Sequence, residues 1–198
     1  MPKYKVDIST ILFEEDVRKI YNEAKNAEER VFVSLLWTTG ARTKEILLLT
    51  KEDIQYSPDR VNILLKTLKL GQRKTFMVKE RTLEFERPQG VNCNIYLETI
   101  INYVKTLSPE ARLLERSNRW AQYITNKLGV KAMGKPISPY HFRHSCMTWL
   151  LRNGATPDMA MHFKGSASIK SIEPYIHAVP FVVKEQNRRR AQLKELNE

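Results

Sequence analysis

The run Val31-Phe32-Val33-Ser34-Leu35-Leu36-Trp37 is apolar on nearly every side of a helix. Such a helix has no face to give to water, so it belongs at the centre of a globular domain with other elements wrapped around it. Its ends are marked. Asn26 followed by Glu29 resembles a capping box at the start, and Thr38-Thr39-Gly40-Ala41 breaks the helix at its end. Upstream, Phe13 to Lys25 carries Phe13, Val17, Ile20 and Tyr21 on one helical face, and downstream Thr43 to Leu49 reads as a short helix.

The pattern then changes from helical to strand-like. Ile54-Gln55-Tyr56, Val61-Asn62-Ile63-Leu64-Leu65 and Thr75-Phe76-Met77-Val78 hold β-branched and aromatic residues, separated by Ser57-Pro58-Asp59 and a basic turn around Gly71. They predict a small antiparallel sheet of three strands. Helical spacing returns from Asn94 through Ile95, Leu97, Ile100, Ile101 and Val104. Three Ser/Thr-Pro pairs (Ser108-Pro109, Ser138-Pro139 and Thr156-Pro157) read as N-caps with Pro at the first helical position. The last two helices are expected to end at Asn153-Gly154 and at Gly165, and Pro180 to precede a final polar helix, Phe181 to Leu196. The fold class expected is α+β, mostly α-helical, with one domain over residues 1–180 and a helical tail over 181–198.

The formal charge of +11 is localised rather than spread. Residues 1–30 are nearly balanced, with six basic and seven acidic side chains, whereas residues 60–81 hold seven basic residues against Glu80 alone, and residues 111–135 hold six against Glu115. Two basic blocks account for the whole excess. A phosphate polymer is the natural partner of such blocks, because basic side chains gain affinity there by releasing condensed counterions. Cys93 and Cys146 form no spacing motif and read as free thiols of a reducing compartment. No apolar run approaches the roughly 18 residues of a membrane span, and the N-terminus lacks the apolar core of a secretory signal, so an intracellular protein is expected. The four histidines have no paired Cys ligand, so neither a metal nor another cofactor is expected.

Three stretches carry the chemistry. In Thr39-Gly40-Ala41-Arg42-Thr43-Lys44-Glu45-Ile46, Arg42 follows a tight turn at the mouth of a helix and Glu45 lies where it can brace the guanidinium. Ser138-Pro139-Tyr140-His141-Phe142-Arg143-His144-Ser145 again sets polar groups at a helix start. Lys164-Gly165-Ser166 is followed by Ile172-Glu173-Pro174-Tyr175-Ile176-His177. Fork-shaped guanidiniums suit the oxygens of a phosphodiester and of its more highly charged transition state, and a tyrosine hydroxyl can attack phosphorus to leave a covalent intermediate.

Taken in this order the stretches resemble the catalytic domain of tyrosine recombinases, the phage-integrase family, over roughly residues 10–180. Thr39 to Ile46 is similar to the family's T-G-x-R-x-x-E-[ILV], Pro139 to Ser145 to its P-H-x-L-R-H-[ST], and Leu150-Leu151-Arg152-Asn153-Gly154-Ala155 to its L-L-x-x-G-A. Gly154 to Gly165 is 11 residues and Gly165 to Tyr175 is 10, the spacing of the family's L-G-H and tyrosine. The resemblance implies Tyr175 as nucleophile, Arg42 and Arg143 on the phosphate, and a catalytic lysine on the basic hairpin, Lys66 fitting best with Lys69 as the alternative. The family's usual His is Tyr140 in this chain, and its His or Trp after Gly165 is Ser166; both are expected to donate to the phosphate. Archaeal virus and plasmid integrases resemble this chain in having Tyr at that position. His141, one position along, is the alternative to Tyr140.

Glu45 and His144 are expected as supports for the arginines, and Lys69, Arg73, Lys74, Arg119 and His141 as DNA contacts. The implied activity is site-specific cleavage and rejoining of duplex DNA through a 3′-phosphotyrosine, needing neither metal nor ATP. The implied partners are attachment-site duplexes and further copies of the chain, four in a synaptic complex, in the host cytoplasm and with no membrane. Family members carry an N-terminal core-binding domain that this sequence is expected to lack, and their tail packs on a neighbouring protomer, a role open here to Phe181, Val182, Val183, Leu193 and Leu196. A type IB topoisomerase acting alone and a catalytically silent DNA-binding module are the other readings.

Overall fold

Helices α1 (Glu14–Glu23) and α2 (Ala27–Thr39) open the domain in the computed structural model, which describes residues 6–70, 76–90 and 93–195. Glu14, Glu15 and Asp16 lie in the first turn of α1, where the helix dipole favours negative charge, and Asp16 Oδ2 accepts the Phe13 N–H at 3.0 Å. The Asn26 side chain caps α2 by accepting the Glu29 N–H at 2.8 Å, but Glu29 does not reach back to Asn26; its carboxylate accepts the Lys25 N–H instead. Val31, Phe32, Val33, Leu35 and Leu36 have no accessible surface. The all-round apolar helix is the centre of the core, packed on α4 (Ile95–Lys105) and α6 (Pro139–Arg152), while α1 packs on α5 (Asn118–Met133).

The short helix α3 (Thr43–Leu47) leads into the sheet, in which β1 (Ile54–Tyr56), β2 (Arg60–Leu70) and β3 (Phe76–Glu86) run antiparallel in the order β1-β2-β3. Ile63 lies opposite both Ile54 and Leu83, and Val61, Ile63 and Leu65 alternate into the core as a half-buried strand requires. The third strand extends eight residues beyond the expected Val78. Its outer half, Lys79-Glu80-Arg81-Thr82-Leu83-Glu84-Phe85-Glu86, is mostly charged and reads poorly as strand, yet Arg81 and Leu83 turn inward while Thr82 and Glu84 face water.

Two further expectations need correction. Ser108-Pro109-Glu110 starts no helix: Glu110 takes a left-handed φ of 61°. The chain then pairs with the segment after α3, Leu113 N–H donating to Leu49 O and Lys51 N–H to Ala111 O, each at 2.9 Å. Leu113 and Leu114 are buried there, which accounts for the extended backbone, and the helix waits for the Ser117 cap. Nor does Pro180 precede the last helix. After α7 (Pro157–Lys164), α8 (Glu173–Glu195) is continuous with Pro180 inside it. Pro180 sits on the exposed side of the helix, and the buried Ala178 and Val182 hold the helix to α6 across the one missing backbone hydrogen bond.

The tail therefore packs on its own chain. Arg189 stacks over the Phe13 ring at 4.2 Å and pairs with Asp16 at 2.9 Å, and Arg152 donates to Gln186 at 2.7 Å. Val182 is buried in this contact, whereas Phe181 and Val183 are exposed; the side chains of Leu193 and Leu196 lie outside the described residues. Val6, Ile11, Phe13, Cys146, Met147, Ala160, Ile172, Tyr175, Ala178 and Val182 form a second apolar cluster beside the main core. No helix among the described residues is long and apolar enough to cross a membrane.

Candidate active site

The turn between α2 and α3 places the first guanidinium. Gly40 adopts a left-handed φ of 55°, and a Cβ there would come within 2.8 Å of Cys146 Sγ, so backbone and space both ask for glycine. The Glu45 carboxylate then caps α3, accepting the Arg42 N–H at 2.7 Å and Arg42 Nη1 at 3.1 Å. Arg42 is otherwise open, with 44% of its side chain exposed.

Glu45 has a larger task than bracing Arg42. It is almost fully buried and takes both arms of Arg81 from β3, Nη1 on Oε1 at 2.9 Å and Nη2 on Oε2 at 3.0 Å, while Thr67 of β2 donates to Oε1. Burial pushes the Glu45 carboxyl up, but the hydrogen bonds from Arg81 and Thr67 outweigh it and hold the group at about 2. Arg81 Nε donates to Phe163 O at 3.1 Å, and a Cβ on Gly165 would lie 2.6 Å from Arg81 Nη1. A bare glycine at 165 lets the guanidinium pass. Sequence reasoning counted Arg81 only as part of a basic block, because the mostly charged run from Lys79 to Glu86 carries little strand signal of its own.

Helix α6 supplies the second phosphate-type ligand. Arg143 is 5% exposed, and it donates Nη1 to Gly40 O at 2.7 Å and Nη2 to Lys164 O at 2.6 Å. Two main-chain carbonyls thus aim the guanidinium, and burial followed by the nearby Arg42 lowers it to about 10. The Tyr175 ring, on the first turn of α8, is 3% exposed and leans on His144 with ring centres 5.1 Å apart; His144 in turn stacks on the exposed Tyr140 at 4.0 Å. Burial first, then Tyr140, raise the Tyr175 phenol to about 12. Both His144 ring nitrogens are buried without a hydrogen-bond partner among the described residues, and burial, then Lys164, His141 and Arg143, hold the imidazole at about 4 and therefore neutral at pH 7.

Burial is the first cause of the Arg143, His144 and Tyr175 shifts and favours the uncharged form of each. Two guanidiniums stand close together here, and an anion entering between Arg42 and Arg143 would offset their repulsion. The arrangement suits attack by a phenol on a phosphate ester held by two guanidiniums.

Arg42, Glu45, Arg143, His144, Tyr140 and Tyr175 share this cluster. Ser166 lies beside it in the turn after Gly165, where its Oγ accepts from Ser171 Oγ at 2.8 Å. Three expected residues stand elsewhere. Lys66 pairs with the buried Asp53 at 2.5 Å, and alternation along β2 gives it the face opposite Thr67 and hence away from Glu45. His141 is spent on its own helix cap, Nδ1 accepting the Ser138 N–H at 3.1 Å and meeting Ser138 Oγ at 2.9 Å. Arg119 is exposed on α5, and no hydrogen bond or ion pair among the described residues links it to the cluster. The Lys69 side chain, and Arg73 and Lys74 entirely, lie outside the described residues.

Residues 10–180 match the phage integrase family. Tyrosine recombinase XerC of Staphylococcus aureus (strain JH9) is 23% identical over 190 residues, which cover 89% of this chain. The chain spans 59% of the length of that relative. Among solved structures, the XerH site-specific recombinase bound to difH substrate superposes with a TM-score of 0.66 at 15% identity, covering 88% of this chain and 52% of that one. The catalytic domain of bacteriophage HP1 integrase gives 0.54 at 17% identity, covering 90% of this chain and 93% of that one. At these identities the structural likeness speaks for the fold, a mostly helical domain with a small antiparallel sheet.

Proposed function

The chain belongs to the phage integrase family, and from that premise we propose that it cuts and rejoins duplex DNA at specific sites, using Tyr175 as the nucleophile. The observation that carries this reading is the single cluster in which the open Arg42 guanidinium, the carbonyl-aimed Arg143 and the Tyr175 phenol meet. A bridging phosphate of DNA supplies the missing anion. Its non-bridging oxygens take the remaining N–H donors of Arg42 and Arg143, with Tyr140 and Ser166 adding O–H donors at the margin. The Tyr175 oxygen forms a bond to phosphorus, the bond to the 5′-oxygen breaks, and a 3′-phosphotyrosine retains the ester energy for rejoining. The two basic sequence blocks support a long duplex partner, and self-association on DNA, up to a tetramer, belongs to the same reading. Tyr140 alone supports a place among archaeal virus and plasmid integrases.

The leaving 5′-oxygen needs a proton, and we assign it to Lys69 rather than Lys66, because Lys66 is committed to Asp53. Replacing the 5′-oxygen with sulfur makes a leaving group that needs no acid, so Lys69→Ala is expected to slow cleavage of the oxygen substrate by about 10²-fold and to be restored on the sulfur one. Lys66→Ala leaves the buried Asp53 without its ion-pair partner and held only by Thr50 among the described residues, and its expected effect is a lowered unfolding midpoint.

The test of the overall reading is a pool of nicked duplexes of randomised sequence, incubated with the 198-residue chain and then stripped in detergent. Cleavage at a nick releases a short strand and traps the covalent product. The expected result is a detergent-resistant protein–DNA band whose digestion yields a nucleotide on the peptide containing Tyr175. Duplex binding with no such band for any sequence would leave a silent DNA-binding module. Relaxation of supercoiled plasmid without exchange between sites would leave a topoisomerase.

A further inference from the structure

Tyr175 is a poor nucleophile where it stands, because its hydroxyl must lose a proton to a neighbour before or as it attacks. We propose, on the reading of Tyr175 given above, that Lys164 is the base that receives this proton. Lys164 is the last residue of α7, and its amine lies over the Tyr175 ring, Nζ 4.7 Å from the ring centre. The same residue's carbonyl aims Arg143 at 2.6 Å, and its Nζ donates to Ser171 O just ahead of α8. One residue thus ties together the guanidinium that holds the phosphate and the helix that carries the nucleophile. Its flexible stem lets the amine move from the ring face toward the hydroxyl.

The alternatives around the phenol are weaker. The groups facing Lys164 are Arg42 from the start of α3, Arg143, His144 and Tyr140 from α6, and Tyr175 itself, with the Arg81–Glu45 pair behind Gly165. Tyr140 and Ser166 carry hydroxyls, which suit them to donating hydrogen bonds rather than to removing a proton. His144 touches the ring, but an imidazole held at about 4 is badly matched to a phenol raised to about 12. Burial, then Arg143 and Arg42, bring Lys164 down to about 8, so roughly one molecule in ten presents a neutral amine at pH 7. A bound phosphate cancels only part of the charge of the two arginines, so the amine stays below its ordinary range.

The position also fixes which proton Lys164 handles. In an in-line displacement the entering and leaving oxygens lie on opposite sides of phosphorus, and a group against the Tyr175 ring serves the entering side. The tyrosyl O–P bond forms, the P–O5′ bond breaks, the phenolic proton passes to Lys164 Nζ, and the 5′-oxygen takes its proton from the hairpin lysine. On rejoining, the 5′-hydroxyl attacks and Lys164 returns its proton to the tyrosine oxygen.

Single-turnover adduct formation tests this, using the full chain and duplexes recovered from the random pool, with 5′-oxygen or 5′-sulfur at the scissile bond, between pH 6 and 9. Lys164→Met and Lys164→Arg are both expected to slow the step by about 10²-fold at pH 7 while duplex affinity stays within a few-fold. The wild-type rate is expected to climb with pH through a midpoint near 8 and the variants to lose that limb. Sulfur should rescue neither variant. A Lys164→Arg rate equal to wild type would overturn the proposal, since a guanidinium keeps the charge but takes no proton at these pH values. Rescue by sulfur would also overturn it, by moving the residue to the leaving side. Variants indistinguishable from an active wild type reject Lys164 alone, whereas a wild type that forms no adduct on either substrate rejects the tyrosine reading and this one with it.

Discussion

Tyr175→Phe is expected to yield a protein that folds and binds duplex DNA but is never joined to it. The change removes one oxygen and keeps the ring. That ring belongs to the apolar cluster with Ile172, Ala178 and Val182 and leans on His144, and all of this survives in phenylalanine. The hydroxyl makes no hydrogen bond to a described residue and is absent from the fully buried unpaired atoms, so nothing is orphaned when it goes. Stability should therefore stay within about 0.5 kcal/mol of wild type, measured as the midpoint of denaturant unfolding. The detergent-resistant band, by contrast, should disappear outright rather than weaken, because no neighbouring side chain offers a nucleophile at the same place. A residual band in the variant would point to a different nucleophile.

Glu45→Ala should do the opposite, striking the fold before the chemistry. The carboxylate is the common partner of Arg81, Arg42 and Thr67, and Arg81 is itself buried. Removing it leaves a guanidinium in a dry setting with only the Phe163 carbonyl for company, and breaking a buried pair in this way costs about 3–5 kcal/mol. Glu45→Gln keeps the shape and one acceptor and should cost less.

The pH dependence separates this group from its neighbour. A carboxyl held at about 2 instead of its ordinary 4.5 gives stability that is fully present above pH 4.5 and is lost as pH falls toward 2. An imidazole held at about 4 instead of 6.5 also favours the fold at higher pH, and its contribution drains away between 6.5 and 4. Unfolding curves of Glu45→Gln taken down the pH scale should keep the upper loss and lack the lower one.

The expectations that held were those resting on local rules. Asn26 caps α2, Pro139 and Pro157 open their helices, Gly40 and Gly165 close theirs in left-handed conformations, and the apolar run at Val31–Trp37 lies at the centre. Arg42, Arg143 and Tyr175, far apart in sequence, could be grouped only through the resemblance of three short motifs. What escaped was decided by distant partners. Arg81 goes inward because Glu45, 36 positions away, is there to receive it. The Ser108-Pro109-Glu110 segment stays extended because Leu49 and Lys51 offer backbone pairing. The helix passes through Pro180 because burial on either side outweighs one lost bond. Nothing beside Lys66 in the sequence pointed to its ion pair with Asp53, which comes from another element. Lys164 was visible beside Gly165, but nothing local announced that its amine would come to rest over an aromatic ring eleven residues on.

The two oxygens that steer Arg143 belong to the peptide chain at Gly40 and Lys164, not to side chains. A change of side chain at Lys164 leaves its carbonyl acceptor in place, so the guanidinium keeps its bearing for as long as the backbone path is kept. The bearing of Arg143 therefore asks nothing of the side chain at 164, whereas at residue 40 any Cβ would displace the chain and swing the guanidinium off target.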